Sequence, residues 1–193
     1  MDRVLISTIT RDIVHAATAQ WLCDQFYPVQ IVHTPFTIEH NRNLQVDQLL
    51  ASDYADWLFI VDNDTVPQQG TIEALLDSIP PMTCRVAPSW AWAKDRRRIP
   101  MAYTLDKEDG LYYPVSYNAQ GVKEVDLTGM SGALIPRSLF TRVPRPWFKM
   151  THTDEGFLDG TEDVYFWRKA KEAGYKIEAH LGLTAEHIKW QRI

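Results

Sequence analysis

The residues best suited to bind a metal ion and a phosphate follow an apolar run in the N-terminal half of the chain. Asp62-Asn63-Asp64 comes directly after Trp57-Leu58-Phe59-Ile60-Val61. Such a run is typical of a strand buried on both faces of a parallel sheet, and ligands bind at the carboxyl ends of such strands. Carboxylates one residue apart can point toward one ion, and hard oxygen ligands suit Mg²⁺ or Mn²⁺ bridging a diphosphate. The alternative is a pair of turn-forming acidic residues with no ligand.

A second acidic pair stands at the start of a helical pattern nearer the C-terminus. Thr161 can cap this helix, and Glu162 and Asp163 then lie at its positive end. Acidic residues in a first helical turn commonly stabilise the helix and need no other role, which is the alternative here. Beyond the helix, His187 is a candidate imidazole ligand for a metal ion, although a single histidine in a loop is more often simply exposed.

Alternating strand and helix patterns predict the scaffold that positions the first acidic pair. Residues 4–9 and 29–33 have the apolar, β-branched composition of strands. Helical spacing follows each of these strands, over residues 14–26 and from Asn41 onward, and it returns over residues 71–78. This alternation indicates an α/β layered fold with a mainly parallel sheet.

The second half of the chain predicts a smaller antiparallel part. Residues 112–117 and 122–127 flank Asn118-Ala119-Gln120-Gly121, which has the turn residues of a hairpin. Residues 162–173 form an amphipathic helical pattern closed by a glycine, and residues 175–179 predict a last strand.

Length and composition predict one globular domain over residues 1–193. The 193 residues are 45% hydrophobic and 23% charged, which is enough to bury one sizeable core. The net charge of -5 does not favour a broad nucleic-acid-binding surface. Cys23 and Cys84 lie too far apart in the chain to suggest a disulfide scaffold, and the opening residues predict neither a signal peptide nor a membrane span. We therefore expect a cytoplasmic protein.

Six short motifs occur in an order that carries more information than any one of them. They are Arg42-Asn43, the strand-end Asp-x-Asp (DXD) motif at residues 62–64, Gly129-Met130-Ser131-Gly132, Trp147-Phe148, Glu162-Asp163 opening a helix that ends in Gly174-Tyr175, and the late His187. This order resembles the GT-A glycosyltransferases close to family two, and the resemblance covers nearly the whole chain. It implies a GT-A, Rossmann-like three-layer sandwich in which residues 1–82 bind a nucleotide and residues 83–193 carry the acceptor and catalytic groups.

The resemblance also implies how a nucleoside-diphosphate sugar would be bound. Asp62 would hold the ribose or the metal ion, Asp64 would be a direct ligand of Mn²⁺ or Mg²⁺, and His187 would complete the protein's ligands. The metal ion would act as a Lewis acid on the departing nucleoside diphosphate. Further residues expected around the nucleotide or the donor sugar are Thr8, Thr10, Arg11, Arg42 and Gly132. For the glycine, a tight turn before a strand is the alternative reason.

On the acceptor side, the resemblance implies that Asp163 is the general base of an in-line attack with inversion. Glu162 is the alternative base, and the sequence does not exclude a retaining mechanism. Trp147 or Phe148 is expected to stack on the acceptor, whereas the remaining aromatic residues are assigned to the core. The basic run from Lys94 to Arg98 is either a solvated turn or a contact for the diphosphate or an acidic acceptor.

Two other functions compete with a glycosyltransferase. A nucleotidyltransferase would normally show a glycine-rich loop after the first strand, but Ser7-Thr8-Ile9-Thr10-Arg11 contains no glycine. A non-catalytic nucleotide-sugar or glycan-binding module would not need both Asp64 and Asp163. The acceptor could be a glycan, a protein or a modified nucleic acid.

Overall fold

Strands and helices alternate along the N-terminal part of the chain, as the sequence predicts. The computed structural model describes residues 2–92, 98–116, 118–183 and 185–188. The elements of the first part are, in chain order, β1 (Val4–Thr10), α1 (Ala16–Cys23), β2 (Val29–His33), α2 (Ile38–Ala51), β3 (Trp57–Ile60), β4 (Thr65–Pro67) and α3 (Thr71–Leu76). Helix α2 begins three residues before the predicted Asn41, with Thr37 as its N-cap.

The second part contains shorter strands and two helices. In chain order these elements are β5 (Thr83–Val86), β6 (Trp90–Trp92), β7 (Arg98–Pro100), β8 (Ala102–Leu105), β9 (Tyr112–Pro114), β10 (Val122–Glu124), β11 (Leu127–Thr128), β12 (Ala133–Pro136), α4 (Arg137–Arg142), β13 (Thr151–His152), β14 (Leu158–Gly160), α5 (Glu162–Glu172), β15 (Lys176–His180) and β16 (Ala185–His187). Residues 94–97 of the basic run lie outside the described residues, so its predicted role remains a prediction.

The main sheet has seven strands in the order β10-β15-β5-β12-β3-β1-β2. Strands β2, β1, β3, β5 and β15 run in one direction, whereas β12 and β10 are antiparallel to their neighbours. Strand β12 lies between β3 and β5, so it starts at the edge where those two strands end. The loops after β3 and β5 and the loop before β12 therefore meet at one edge of the sheet.

Side chains alternate between two hydrophobic cores on opposite faces of this sheet. On β3, Leu58 and Ile60 belong to the core that contains α2, α4 and α5, whereas Phe59 and the next residue after the strand, Val61, belong to the core with α1 and α3. Because both faces are covered by helices, β3 is apolar at every position. The architecture is a three-layer sandwich, and the predicted fold class is confirmed.

The predicted hairpin between residues 112–117 and 122–127 is wrong. Strand β9 pairs antiparallel with β8, which in turn pairs with β11, whereas β10 joins the edge of the main sheet beside β15. Gly121 does adopt a left-handed turn conformation with a φ of 73°. The turn was therefore identified correctly, but turn residues do not determine which strands pair, and here the flanking strands enter different sheets.

Among the described residues, no helix combines the length and the apolar composition needed to cross a lipid bilayer.

Candidate functional site

The loop after β3 holds the first acidic pair at the edge of the sheet. Asp62 donates its backbone N–H to Ser131 Oγ at 3.0 Å, which fixes this loop to the segment before β12. The carboxylate of Asp62 accepts a short hydrogen bond from Arg42 Nη2 on α2. Arg42 is only 1% exposed, so its guanidinium is almost fully desolvated and needs an anionic partner. The Asp62 carboxylate therefore forms an ion pair with a buried cation.

Asp64 meets His187 from the far end of the chain. Strand β4 pairs antiparallel with β16, and this register places His187 opposite Thr65. The Nε2 atom of His187 lies 3.0 Å from Asp64 Oδ2, and the backbone N–H of Ile188 donates to the Asp64 carbonyl at 2.7 Å. The small β4–β16 sheet thus brings together two predicted metal ligands that lie 123 residues apart in the sequence.

The second acidic pair begins helix α5. Glu162 is only 6% exposed, and its pKa is raised, first by burial and then by the negative charge of Asp163, against the opposing effect of Arg42. One oxygen of Asp163, Oδ1, accepts hydrogen bonds from the Thr161 hydroxyl and from Val164 N–H, the latter at 2.8 Å. These two bonds orient the carboxylate at the positive end of the helix.

Asp62 of the first acidic pair and both residues of the second border one cavity, which we call the central cleft. Its volume is about 370 Å³, and its lining includes Arg42, Asp62, Trp90, Glu162, Asp163 and His187. These residues come from α2, the loop after β3, β6, the start of α5 and β16. Residues more than 100 positions apart in the sequence therefore face a common space, and that space is rich in groups able to bind ions and polar ligands.

A neighbouring cavity of about 330 Å³, the β1 cleft, lies at the end of β1. It is lined in part by Thr10, Arg11, Asn41 and Asn63. Asn63 joins the loop after β3 to the wall of the β1 cleft, because its Nδ2 donates to the Ile13 carbonyl at 2.8 Å and its own carbonyl accepts from His15 N–H at 2.8 Å. The middle residue of the Asp-x-Asp motif therefore holds the wall of the cavity where a nucleotide was predicted.

Two predicted donor-side residues take no direct part in these cavities. Thr8 is fully buried within β1, so the prediction that it lines a nucleotide pocket is wrong. Gly132 has a φ of 82°, and a Cβ there would lie 2.3 Å from the Ala87 carbonyl oxygen. The tight-turn explanation of Gly132 is therefore the right one, since its backbone packs against Ala87 and does not border the central cleft.

The predicted stacking of Trp147 or Phe148 on an acceptor is also wrong. Trp147 is 4% exposed and donates its indole N–H to the carbonyls of Phe140 and Val143 at 3.1 and 2.8 Å. Phe148 is 1% exposed, and its ring stacks on Phe166 with centroids 4.6 Å apart. Both rings belong to the core between the sheet and α5.

Trp90 differs from its prediction in the opposite sense, because the sequence assigned it to the core and the structure places it at a cavity. It is half-buried and lines the central cleft, and its indole Nε1 has no hydrogen-bond partner among the described residues. The guanidinium of Arg98, at the end of the basic run, lies 6.0 Å from the centroid of its ring. A buried indole donor without a partner is one that a ligand in the cleft can satisfy.

A divalent cation fits this site only with ligands supplied by a second molecule. Within the described ranges, no group of three or more His, Cys, Asp or Glu side chains is arranged to hold a metal ion. Asp64 and His187 provide two adjacent donors of the types that Mn²⁺ accepts, while one oxygen of Asp62 is already bonded to Arg42. Two protein ligands suit an ion whose remaining positions are filled by phosphate oxygens and water.

Solved structures identify the fold. The chain is similar to A197 from STIV over 97% of its length and 86% of that chain, with a TM-score of 0.68 and 21% identity. It is also similar to GalNAc-T7 in complex with UDP, GalNAc and Mn²⁺, over 98% of its length, with a TM-score of 0.70 and 9% identity. A mutant of Drosophila β1,4-galactosyltransferase 7 with manganese, UDP-galactose and xylobiose matches 98% of the chain and 72% of its own, with a TM-score of 0.54 and 15% identity.

These similarities show that the chain has the GT-A fold, as the order of its motifs predicted. The chain spans 44% of the GalNAc-T7 chain. No protein-family model matches the sequence, and no curated protein shows significant sequence similarity to it.

Proposed function

We propose that this protein is a metal-dependent glycosyltransferase that moves a sugar from a nucleoside-diphosphate sugar to an acceptor hydroxyl with inversion. The observation that carries the proposal is the central cleft, where the Asp62 loop, the Asp64–His187 pair and the Glu162–Asp163 pair converge. Similarity to structures crystallised with UDP and manganese supports the same donor and ion.

On the donor side, the nucleoside occupies the β1 cleft beside Thr10, Arg11 and Asn63, and the diphosphate extends toward Asp64 and His187. Ile38 lines both the β1 cleft and the central cleft, so the two cavities are adjacent and one extended ligand can occupy both. Asp64 and His187 would hold a divalent ion there, and that ion would supply charge neutralisation to the leaving diphosphate. Arg42 acts indirectly, since its guanidinium is bonded to Asp62 and orients that carboxylate.

On the acceptor side, Asp163 is the general base. Its Oδ1 is bonded to Thr161 and Val164, but within the described part of the chain Oδ2 accepts no hydrogen bond. The acceptor hydroxyl gives its proton to Oδ2 while its oxygen forms a bond to the anomeric carbon. The bond between that carbon and the diphosphate oxygen breaks, and the nucleoside diphosphate leaves with the electron pair. Such general-base help is typically worth ~10²–10⁴-fold in rate.

Glu162 is the weaker candidate for the base because of its position. It lines the central cleft, whereas Asp163 lines both the central cleft and a third cavity that also borders Thr161 and Val164. A base must contact the acceptor and the reacting carbon together, which a residue at the junction of two cavities can do.

Calorimetric titration with nucleoside diphosphates and Mn²⁺ tests the donor side of this proposal. We expect one of UDP, GDP, ADP, CDP or TDP to bind more tightly when Mn²⁺ is present. Asp64→Asn should weaken that binding by about tenfold or more, or roughly 1.4 kcal/mol, in the presence of the ion. Without the ion, the wild type and the variant should bind the nucleotide alike.

Asp53→Asn is the matched control, because Asp53 is exposed and precedes β3, whereas Asp64 follows that strand. It makes the same change of charge at the opposite end of the strand and should leave binding unchanged. Equal binding by wild type and Asp64→Asn at saturating Mn²⁺ would contradict the proposed metal site. Formation of a nucleoside-diphosphate sugar from a sugar phosphate and a nucleoside triphosphate would instead identify a nucleotidyltransferase.

A further inference from the structure

A third cavity, which we call the tyrosine cleft, opens beside Asp163 on the side away from the Asp62 loop. Its volume is about 300 Å³, and its lining includes Tyr103, Tyr112, Leu127, Thr161 and Asp163. Met101, Gly129 and Asp163 line both this cleft and the central cleft. The two cavities therefore meet at the carboxylate that we propose as the base.

The floor of the tyrosine cleft is one face of the small β11-β8-β9 sheet. Leu127 lies directly across from Tyr103, and Tyr112 lies across from Leu105, two residues along the same strand. Side chains two residues apart on a strand point to the same face, so Leu127, Tyr103 and Tyr112 share it. The opposite wall is the first turn of α5, which carries Asp163.

The lining is apolar and hydroxyl-bearing, with a single charged group. Among the described residues that border the tyrosine cleft, Asp163 is the only one with a full charge. The nearby Arg168 guanidinium lies over the ring of Tyr112 and is not among the lining residues, so an anionic acceptor such as a nucleic acid would meet the negative charge of Asp163 with no basic side chain in the lining. A neutral ligand with one apolar face and a rim of hydroxyl groups matches this surface.

The hydroxyl group of Tyr103 is available to such a ligand. It donates to Met101 Sδ at 3.4 Å, and a thioether is a weak acceptor that a sugar hydroxyl would readily replace. Burial, and then the negative charge of Asp163, raise the pKa of Tyr103, so the phenol stays protonated and remains a donor beside the base. The ring of Tyr112 lies under the Arg168 guanidinium, 6.0 Å from its centroid, which restrains the ring at the edge of the cleft.

We propose that the acceptor is a neutral saccharide, bound in the tyrosine cleft with its ring against Tyr112 and a hydroxyl group held between Tyr103 and Asp163. This inference rests on the proposed function, because it takes Asp163 as the base. It narrows the three acceptor classes suggested by the sequence to a glycan. A peptide or a nucleic acid becomes an outcome that the experiment can detect.

Binding of methyl glycosides, measured by saturation-transfer NMR and titration without any nucleotide, tests this inference. The panel comprises methyl glycosides of the common neutral hexoses and N-acetylhexosamines, together with a short hydroxyl-bearing peptide and a short oligonucleotide as the competing ligand classes. We expect at least one to bind the wild type, and Tyr112→Ala should raise its Kd by about tenfold because the stacking surface is removed. Tyr103→Phe keeps the ring and the fold but loses the hydroxyl donor, and should weaken binding severalfold.

Tyr113→Ala is the matched control, since Tyr113 is the next residue on β9, is 47% exposed and lies on the other face of the small sheet. It should leave glycoside binding unchanged. The inference is overturned if no glycoside binds, if Tyr112→Ala and Tyr103→Phe bind as the wild type does, or if a peptide or an oligonucleotide binds in the cleft instead. Nucleotide and Mn²⁺ titrations on the same samples test the proposed function separately. A failure of glycoside binding is therefore distinguishable from a failure of nucleotide and metal binding.

Discussion

The two acidic pairs near the central cleft differ in whether their carboxylates have a basic partner. Each carboxylate of the loop after β3 has a partner able to carry positive charge, since Asp62 is bonded to Arg42 and Asp64 to His187. In the part of the chain that the structure describes, neither Glu162 nor Asp163 forms an ion pair. The two acidic pairs therefore suit different chemical roles, although both consist of carboxylates close together in the sequence.

This difference suggests that the first acidic pair serves in binding and the second in proton transfer. The hydrogen bonds to Arg42 and His187 hold the carboxylates of Asp62 and Asp64 in fixed positions, which suits the binding of an ion or a ribose. At the start of α5, Glu162 is buried beside a second carboxylate, which raises its pKa, and Asp163 lies next to it on the wall of the cleft. The loop after β3 and the start of α5 thus supply the electrostatic and the acid–base parts of one proposed reaction.

Replacing the proposed base gives the largest expected effect and tests the comparison most directly. Asp163→Asn removes the proton acceptor but preserves the shape of the side chain, so kcat should fall by ~10²–10⁴-fold. Nucleotide affinity should stay near the wild-type value, because the donor contacts lie on the other acidic pair. Steady-state kinetics with calorimetric binding measure both quantities.

Asp159→Asn serves as the control for that experiment. Asp159 is exposed on β14, four residues before the base, and should tolerate the same substitution without loss of turnover. If Glu162→Gln lost activity and Asp163→Asn did not, the roles within the second acidic pair would be exchanged.

The sequence predicted the fold and most of the cleft because those signals are local. The apolar run of β3 followed by Asp62, and the acids at the start of α5, reflect burial and helix polarity within a few residues. Thr161 is the N-cap residue of α5, but its hydroxyl binds Asp163 and makes no side-chain cap hydrogen bond. Their order along the chain was enough to identify the GT-A fold. Both acidic pairs and His187 do border or adjoin one cavity, although their roles remain predictions.

What the sequence did not predict depends on long-range packing. Trp147 and Trp90 are both tryptophans in loops or short strands, yet the first is buried under α5 and the second lines the central cleft. The tyrosine cleft was missed for the same reason, since Tyr103 and Tyr112 share a face only through the pairing of β8 with β9. Strand patterns give the direction of side chains but not the partner of each strand.

The next effect concerns stability and tests whether Asp62 is held by a buried cation. Asp62→Asn removes the hydrogen-bonded anionic partner of the desolvated Arg42 guanidinium, so the free energy of unfolding should fall by about 1–3 kcal/mol. Asp56→Asn is the control, because Asp56 makes a two-point contact with Arg3 at 2.8 Å where both side chains are about half exposed. Water screens that pair, so its loss should matter less. Denaturant titration compares the two, and equal losses would mean that Arg42 has found another partner.

The smallest effect is a dependence of stability on pH that separates Glu162 from other acidic residues. Its pKa is raised above the ordinary 4.5, so the folded state holds this proton more tightly than the unfolded state does. The resulting stability is complete below pH 4.5 and is lost as the pH rises through the folded-state pKa. Glu162→Gln has no proton to release from this side chain, so the variant should gain stability relative to the wild type as the pH rises toward neutral.

Glu155→Gln should show the opposite trend, because a hydrogen bond from Thr153 lowers the pKa of Glu155. Denaturant midpoints measured across this pH range should therefore diverge in opposite directions for the two variants, and parallel curves would show that burial does not set the protonation of Glu162.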